Sequence, residues 1–493
     1  MALKQIDLTP PERLFRKCLL DCRDATTDVS GMKNLEIRWT GGWVRDKLLG
    51  TTSHDIDVAL STMTGEKFGL ALQSYMRDNA QKYEDEAQKQ GFKAEIKNLH
   101  KIAANPDKSK HLETITTRMF GIDIDFVNLR KEVYDEQSRN PQIEFGTPEE
   151  DALRRDACCN ALFYNLDTQQ VEDFTKRGLD DMKNKIIRTP LAPYQTFKDD
   201  PLRVLRLIRF AARLGYTIQD DALEAMADPT IHDALRLKIT RERVGVEVGK
   251  IMTGPDPYSG LTRIYDRNLY ATVFADPRST SQKFHEESFP VALNTLCNVL
   301  DRYSSICLVL KPKDDINLAW SLAAYVPYRD DEDTAVTAVR EGIKATNVVV
   351  KVLGEAIRFR ARLRVIVEKI AKADATRAEV GVALKDAGKS WRYHILYSLM
   401  CDAVDEQFTE VADRYTTFVK YVQEQKLEGA AELKPIINGN DIKKALDIQK
   451  AGSWLKSALE FVTEWQFANP QGTADEAKEM IKHRRDQIQG LET

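Results

Sequence analysis

The sequence holds no run near the roughly 18–20 apolar residues that a membrane-spanning helix needs, which excludes an integral helical membrane protein. Cysteine is scarce. Seven residues, at positions 18, 22, 158, 159, 297, 307 and 401, form an odd, scattered set. That excludes a disulfide framework and predicts reduced thiols inside the cell. Cys18 and Cys22 have no second Cys/His pair nearby, which argues against zinc. An excess of one charge is also missing: 72 basic residues face 76 acidic ones, a net charge of −4. Any contact with nucleic acid must therefore use local basic patches. There is no internal repeat and no low-complexity segment. The start, MALKQIDLTPPERLF, lacks an apolar stretch followed by a small-residue cleavage site, so secretion is not expected, and its early acidic residues are weak as a mitochondrial presequence. What is present is ordinary for a globular chain: 42% hydrophobic and 30% charged residues among 493, a length that predicts roughly three domains.

The first 190 or so residues mix both periodicities, which indicates an α+β domain. Leu35–Trp39 alternates with period two and predicts a strand. Gly41-Gly42 breaks it, and Trp43–Leu49 predicts a short helix stopped by Gly50. Asp55–Leu60, Phe92–Ile96, Leu112–Phe120, Ile122–Leu129 and Ala161–Leu166 read as strands, and 66–91 and 149–160 as helices. Residues 103–110, AANPDKSK, read as a polar loop without an apolar anchor, expected to be mobile. From about Pro193 onward the spacing is helical, with breaks expected at Pro290, Pro327 and Asn438-Gly439-Asn440.

The segment TGGWVRDKLLGTTSHDIDVAL, 40–60, is the most informative. In Asp55-Ile56-Asp57-Val58, period two sets both carboxylates on one strand face and both aliphatics on the other. Two close carboxylates repel, and a hard divalent cation such as Mg²⁺ relieves the repulsion. The bland alternative is a solvated strand face. The glycine pair lets backbone approach a phosphate at a helix start, and Arg45 could meet that phosphate or pair with Asp46 or Asp57. In Ile122-Asp123-Ile124-Asp125 the acids again share one face, and Asp125, followed by core-like Phe126-Val127, is the candidate third acid.

GGWVRDKLLG…DID resembles the signature of class II CCA-adding tRNA nucleotidyltransferases, of the polymerase-β-like superfamily. Four further segments resemble the family's other motifs in order: Arg154-Arg155-Asp156-Ala157-Cys158-Cys159-Asn160-Ala161, Gly178–Met182 with Ile187-Arg188, Asp199-Asp200-Pro201-Leu202-Arg203 through Arg206, and Arg241–Glu247. The resemblance covers about 35–255, and FGTPEEDALRRDA is similar to fungal members. Cys158 stands where the family usually has Thr, and Asp199 where many members have Glu.

The resemblance implies a nucleotidyltransferase head at 1–192, a base-reading helical neck at 193–275, a helical body at 276–400 and a tRNA-binding tail at 401–493. It implies addition of CCA to tRNA from CTP and ATP by a Mg²⁺-dependent monomer, in cytoplasm and nucleus with the mitochondrion as a further compartment. Asp55 and Asp57 would hold the metal, with Asp125 completing the acids, and Gly41, Gly42 and Arg45 would hold the triphosphate. Arg155, Asp156 and Asn160 would meet the sugar, Asp156 and Asn160 sharing a helix face at i, i+4. Asp200 and Arg203, i and i+3 on a helix, would accept from and donate to the base. Cytosine and adenine suit that polarity; uracil and guanine reverse it. Arg206 would support the base or the Asp200/Arg203 pair, and Arg243 and Glu247 would brace the neck. Basic stretches at 358–372 and 478–485 are candidates for phosphate contact. Two alternatives stand beside this reading: a poly(A) polymerase of the same family, and a metal-dependent glycosyltransferase with D-x-D.

Overall fold

The computed structural model describes residues 6–53, 55–94, 100–102, 114–133, 142–279 and 282–490. The chain divides into two compact units, 1–247 and 248–493.

In the first unit, Thr9 and Glu12 form a reciprocal capping box that opens α1, Pro10–Ala25, with proline at its start. Then come β1 (Ile37–Thr40), α2 (Gly42–Leu48), β2 (Asp55–Leu60), α3 (Gly65–Lys89), β3 (His100–Ile102), β4 (Thr114–Met119) and β5 (Ile122–Asn128). A hairpin of β6 (Arg130–Val133) and β7 (Gln142–Phe145) leads to α4 (Pro148–Leu153) and a 3₁₀ turn at Cys158–Asn160. β8 (Phe163–Asn165), β9 (Val171–Glu172), α5 (Gly178–Asn184) and β10 (Ile186–Ile187) follow. Seven of the described strands build one sheet in the order β3-β4-β5-β2-β1-β8-β9. Within this sheet β2 and β5 pair in parallel and the other neighbours are antiparallel.

Aromatic packing fixes the centre of the sheet. Trp39 of β1 is fully buried, stacked on Phe15 of α1 at 5.6 Å and edge-on to Trp43 of α2 at 4.7 Å. Gly65 starts α3 directly on β5: a Cβ there would lie 2.3 Å from the Phe126 carbonyl oxygen, so no other residue fits without moving the helix.

Five helices close the run to Met252: α6 (Pro193–Asp199), α7 (Arg203–Leu214), α8 (Asp220–Met226), α9 (Pro229–Lys238) and α10 (Arg241–Met252). Leu202, Leu205, Ile208 and Ala212 are buried, as the helical spacing predicts.

The second unit, over its described residues, is helical. Helix Asn347–Ala371 packs against Trp391–Asp405 and Phe408–Glu424. A small core of Ile437, Ile442, Trp454, Val462 and Ile481 joins the last three α-helices. No helix among the described residues is long and apolar enough to cross a membrane, and all seven cysteines are free thiols.

Several expected boundaries move. Residues 92–94 are not in a strand, and 95–96 and the loop 103–110 lie outside the described residues. The expected helix 149–160 stops at Leu153. Pro290 does not break a helix. It occupies the first turn of Ser288–Arg302, where its missing N–H costs no bond. Pro327 sits in a 3₁₀ turn, and Asn438 caps the helix that begins at Gly439.

Candidate active site

Period two places the acids as the sequence predicts. Ile56 and Val58 are buried while Asp55 and Asp57 face solvent. The parallel register with β5 sets Asp55 opposite Asp123 and Asp57 opposite Asp125, which is half-buried. Asp123 has a cation of its own in Arg118, at 3.4 Å.

The end of β1 reaches the same point. Gly41 has φ of +74°, a conformation that favours glycine. A Cβ on Gly41 would lie 3.2 Å from Nη1 of Arg155 and 3.5 Å from Oδ2 of Asp57. Glycine is thus required twice, for its backbone and for the space between a guanidinium and a carboxylate. Its own amide is already used, donating to the carbonyl of Leu162 at 3.1 Å.

Asp57 lies open to solvent but among many protein atoms. Desolvation is the largest influence on its carboxyl and pushes it above the usual carboxylate range. Arg155 opposes the shift, while Asp55 and Asp151 add to it. Mg²⁺ is commonly held by one or two carboxylates together with substrate phosphates. The donor set on β2 fits that pattern, although no cluster of three or more His, Cys, Asp or Glu that could hold an ion forms among the described residues.

Arg155 is fixed by Asp151, a buried residue of α4 that the sequence reading passed over. Nε and Nη2 of Arg155 donate to the same Asp151 oxygen at 3.1 and 2.8 Å, and Nη1 donates to the carbonyl of Asn160 at 3.1 Å. The i, i+4 spacing of Asp151 and Arg155 was the available signal.

Arg45 is buried. Its guanidinium donates to Asp46 at 2.8 Å and to the side-chain oxygen of Asn160. Of the two carboxylates open to Arg45, Asp46 is the one it meets. Asp46 in turn accepts from Arg213 of α7 at 3.1 Å.

Two helix-face expectations are corrected. Asp156 and Asn160 are not i, i+4 on a helix: α4 has ended, Asp156 lies in a bend and Asn160 closes the 3₁₀ turn. Both are buried, but they meet different arginines. Asp156 accepts from Nε of Arg206 at 2.5 Å. Burial alone would raise the Asp156 carboxyl; Arg206, with Arg203 and Arg209 behind it, holds it below the usual range.

Asp200 and Arg203 are likewise not side by side on a helix. Pro201 forces the residue before it into extended backbone, so Asp200 ends α6 with φ −135° and ψ 95° and Arg203 begins α7. Asp200 meets Arg243 at 3.4 Å. The buried Arg203 donates to the carbonyls of Arg154 at 2.8 Å and Thr196 at 3.4 Å. Glu247 does brace the helices, by accepting from Arg209 at 2.6 Å and lying 3.7 Å from Arg206.

The basic stretches of the second unit are largely neutralised. Arg358 meets Glu332, Arg362 meets Asp386 at 2.6 Å and Lys369 meets Glu379 at 2.6 Å. Lys478 and Lys482 pair with Asp475 and Glu479 at 2.7 and 2.6 Å.

An acid-bearing strand face beside a glycine turn, on a mixed sheet followed by helices, defines a nucleotidyltransferase head. Residues 37–188 match the family described as the Poly A polymerase head domain. A CCA tRNA nucleotidyltransferase, mitochondrial, of Candida glabrata is 39% identical, covering 92% of this chain and 91% of its own length. The Saccharomyces cerevisiae protein of the same name is 38% identical, covering 91% and 87%. The fold is shared with the Thermotoga maritima CCA-adding enzyme solved with tRNA_CCA, at a TM-score of 0.65 and 18% identity over 98% and 97% of the two chains. The chain belongs to the CCA tRNA nucleotidyltransferase family and is an enzyme of that kind.

Proposed function

We propose that this chain adds C, C and A in turn to the 3′ end of tRNA, taking CTP and ATP and releasing pyrophosphate. The convergence of Gly41, Asp57 and Arg155 on one point, with Asp57 on the strand face that also carries Asp55 and in register with Asp125, carries the reading. Names of relatives aligned over nearly the whole chain favour CCA addition over poly(A) synthesis or glycosyl transfer.

In this reading Asp55 and Asp57 hold Mg²⁺, which when bound lowers the pKa of the attacking hydroxyl and takes up charge on the leaving pyrophosphate. Asp125 completes the acidic face that orients the 3′ end. Gly41 and Gly42 let the triphosphate lie against the backbone. Arg45 supports that turn and holds the amide of Asn160 in place. Arg155, Asp156 and Asn160 line the sugar side. Asp200 and Arg203 select the base after turning from Arg243 and from the carbonyls of Thr196 and Arg154, with Arg206 tying α7, which carries Arg203, to Asp156. The catalytic head is 1–192, the base-reading neck 193–275, the body 276–400 and the tRNA-binding tail 401–493, working as a monomer. Cytoplasm and nucleus are the compartments served, and the names of the two fungal relatives support the mitochondrion as a third.

The test is incubation with tRNA lacking its 3′ end and each NTP singly and together. Two C's and one A are expected. Long A runs, or no incorporation, would overturn the reading.

A further inference from the structure

The contacts of Arg155 leave one question that the proposed roles do not answer. A guanidinium and the metal-facing carboxylate Asp57 both lie within 3.5 Å of one point, the position of a Cβ on Gly41. At such range an arginine normally closes onto the carboxylate and forms a two-point pair. Here it does not, because two of its three nitrogens are already committed to Asp151.

Asp151 is equipped for that task and is only 1% exposed. One oxygen takes both Nε and Nη2 of Arg155. The other accepts from Nε of Arg154 at 3.0 Å and from the amide of Arg130 at 3.3 Å. The carboxylate is therefore held from two directions and cannot follow Arg155 if the latter moves. The Arg155 guanidinium also lies over the Phe163 ring at 5.1 Å, which fixes its plane. The remaining nitrogen, Nη1, points toward Gly41 and donates to the Asn160 carbonyl.

We propose that Asp151 is a positioning residue that restrains Arg155 from pairing with Asp57 and so keeps the Asp57 carboxylate available to a divalent cation. The inference rests on the metal-holding role assigned to Asp55 and Asp57 above. It differs from a purely structural role in one respect: loss of the Asp151 charge harms cation binding through Arg155, so removing Arg155 as well restores it.

The experiment uses the full chain with Mn²⁺ as the probe, free Mn²⁺ being read by electron paramagnetic resonance, with thermal melting of each protein. Asp151→Asn releases Arg155 onto Asp57 and weakens Mn²⁺ binding by roughly tenfold, the scale of losses when a partner behind a metal ligand is removed. Arg155→Gln binds Mn²⁺ at least as tightly as the parent. The double variant binds like Arg155→Gln alone. Unchanged Mn²⁺ binding in Asp151→Asn overturns the proposal, as does a double variant no better than Asp151→Asn. Loss of cooperative melting in Asp151→Asn assigns the residue to folding and also overturns it. CMP incorporation by the parent is measured in parallel. A parent that binds Mn²⁺ but incorporates nothing ends the functional reading alone; a parent that binds no Mn²⁺ ends both.

Discussion

Asp57 in the first unit and Asp402 in the second are both aspartates whose carboxyls are raised, and desolvation is the largest cause in each. Their surroundings are opposite. Asp402 is fully buried between helices and is answered from within: the Tyr415 hydroxyl donates to it at 3.0 Å, and Arg360, Arg364 and Arg414 stand within 3.8 Å. Asp57 faces solvent, has another carboxylate two residues away, and its nearby arginine is committed elsewhere. The same direction of shift thus marks two different things. An internally answered carboxylate holds helices together, whereas one left open on a strand face is free for the cation role proposed above.

The largest expected effect breaks the open side of this comparison. Asp57→Ala, or Asp55→Ala, abolishes incorporation of both C and A, on the order of 10³-fold or more, a loss of about 4 kcal/mol of transition-state stabilisation. Single-turnover incorporation on tRNA lacking its end measures it, and gel shift should show tRNA binding retained. Near-normal turnover in either variant removes the metal assignment.

Breaking the answered side should cost stability and not chemistry. Asp402→Ala leaves three half-buried arginines with one partner fewer and takes an acceptor from the buried Tyr415 hydroxyl. Arg360 keeps Asp405, and Arg364 and Arg414 keep Glu406, so the cost is about 1–3 kcal/mol, that of a buried polar group left short of a hydrogen bond. A lowered melting transition with the choice among nucleotides unchanged is the expected result. A stable variant with altered choice would mean that Asp402 is not the internal counterpart of Asp57.

A third change sharpens the comparison at base selection. Asp200→Ala removes the acceptor for the base amino group. UTP and GTP should become competitive as C and A addition falls by about 10- to 100-fold, the 1–3 kcal/mol of a hydrogen bond to a charged group. Arg203→Ala should act similarly, and Arg206→Ala should slow the reaction with less effect on choice. Discrimination is read by comparing all four NTPs on tRNA ending before the C's. A variant that excludes UTP as firmly as the parent refutes the base-reading role.

How much of this was legible before the structure depends on the range of the signal. The acidic face was readable, because alternation in Asp55-Ile56-Asp57-Val58 and in Ile122–Phe126 is local and the strand period is strict. The space at Gly41 was half legible: the glycine pair announced a turn, but the Arg155 and Asp57 atoms that exclude a Cβ come from far along the chain. The relation of Asp200 to Arg203 was misread although its signal was present, since Pro201 biases Asp200 away from helix. Asp156 had no such signal. Nothing near Leu153 announces that α4 ends, and the partner of Asp156, Arg206, lies fifty residues on. The basic stretch at 358–372 reads as a patch only because the acids that neutralise it, Glu332, Asp386 and Glu379, lie on other helices.

The smallest effect concerns a third kind of buried group, one answered by nothing strong. His394 lies in helix Trp391–Asp405, fully buried and stacked on Phe359 at 5.9 Å. Neither ring nitrogen makes a hydrogen bond, and the nearest carboxylate oxygen, from Glu355, is 3.7 Å away. Burial lowers its pKa from 6.5 to about 4. The folded chain therefore binds fewer protons at this site than the unfolded chain between these two values. Stability falls as pH drops through 6.5, and the loss levels off below about 4. One pH unit inside that window, near pH 5.5, the site costs roughly 1.4 kcal/mol. His394→Phe keeps the stacked ring and removes the titration. Its melting temperature should fall less steeply than the parent's between about pH 6.5 and 4, while groups common to both proteins cancel in the difference. Parallel curves for parent and variant would show that Glu355 or entering water already answers the protonated ring, and His394 would then join Asp402 among the groups countered by charge from within.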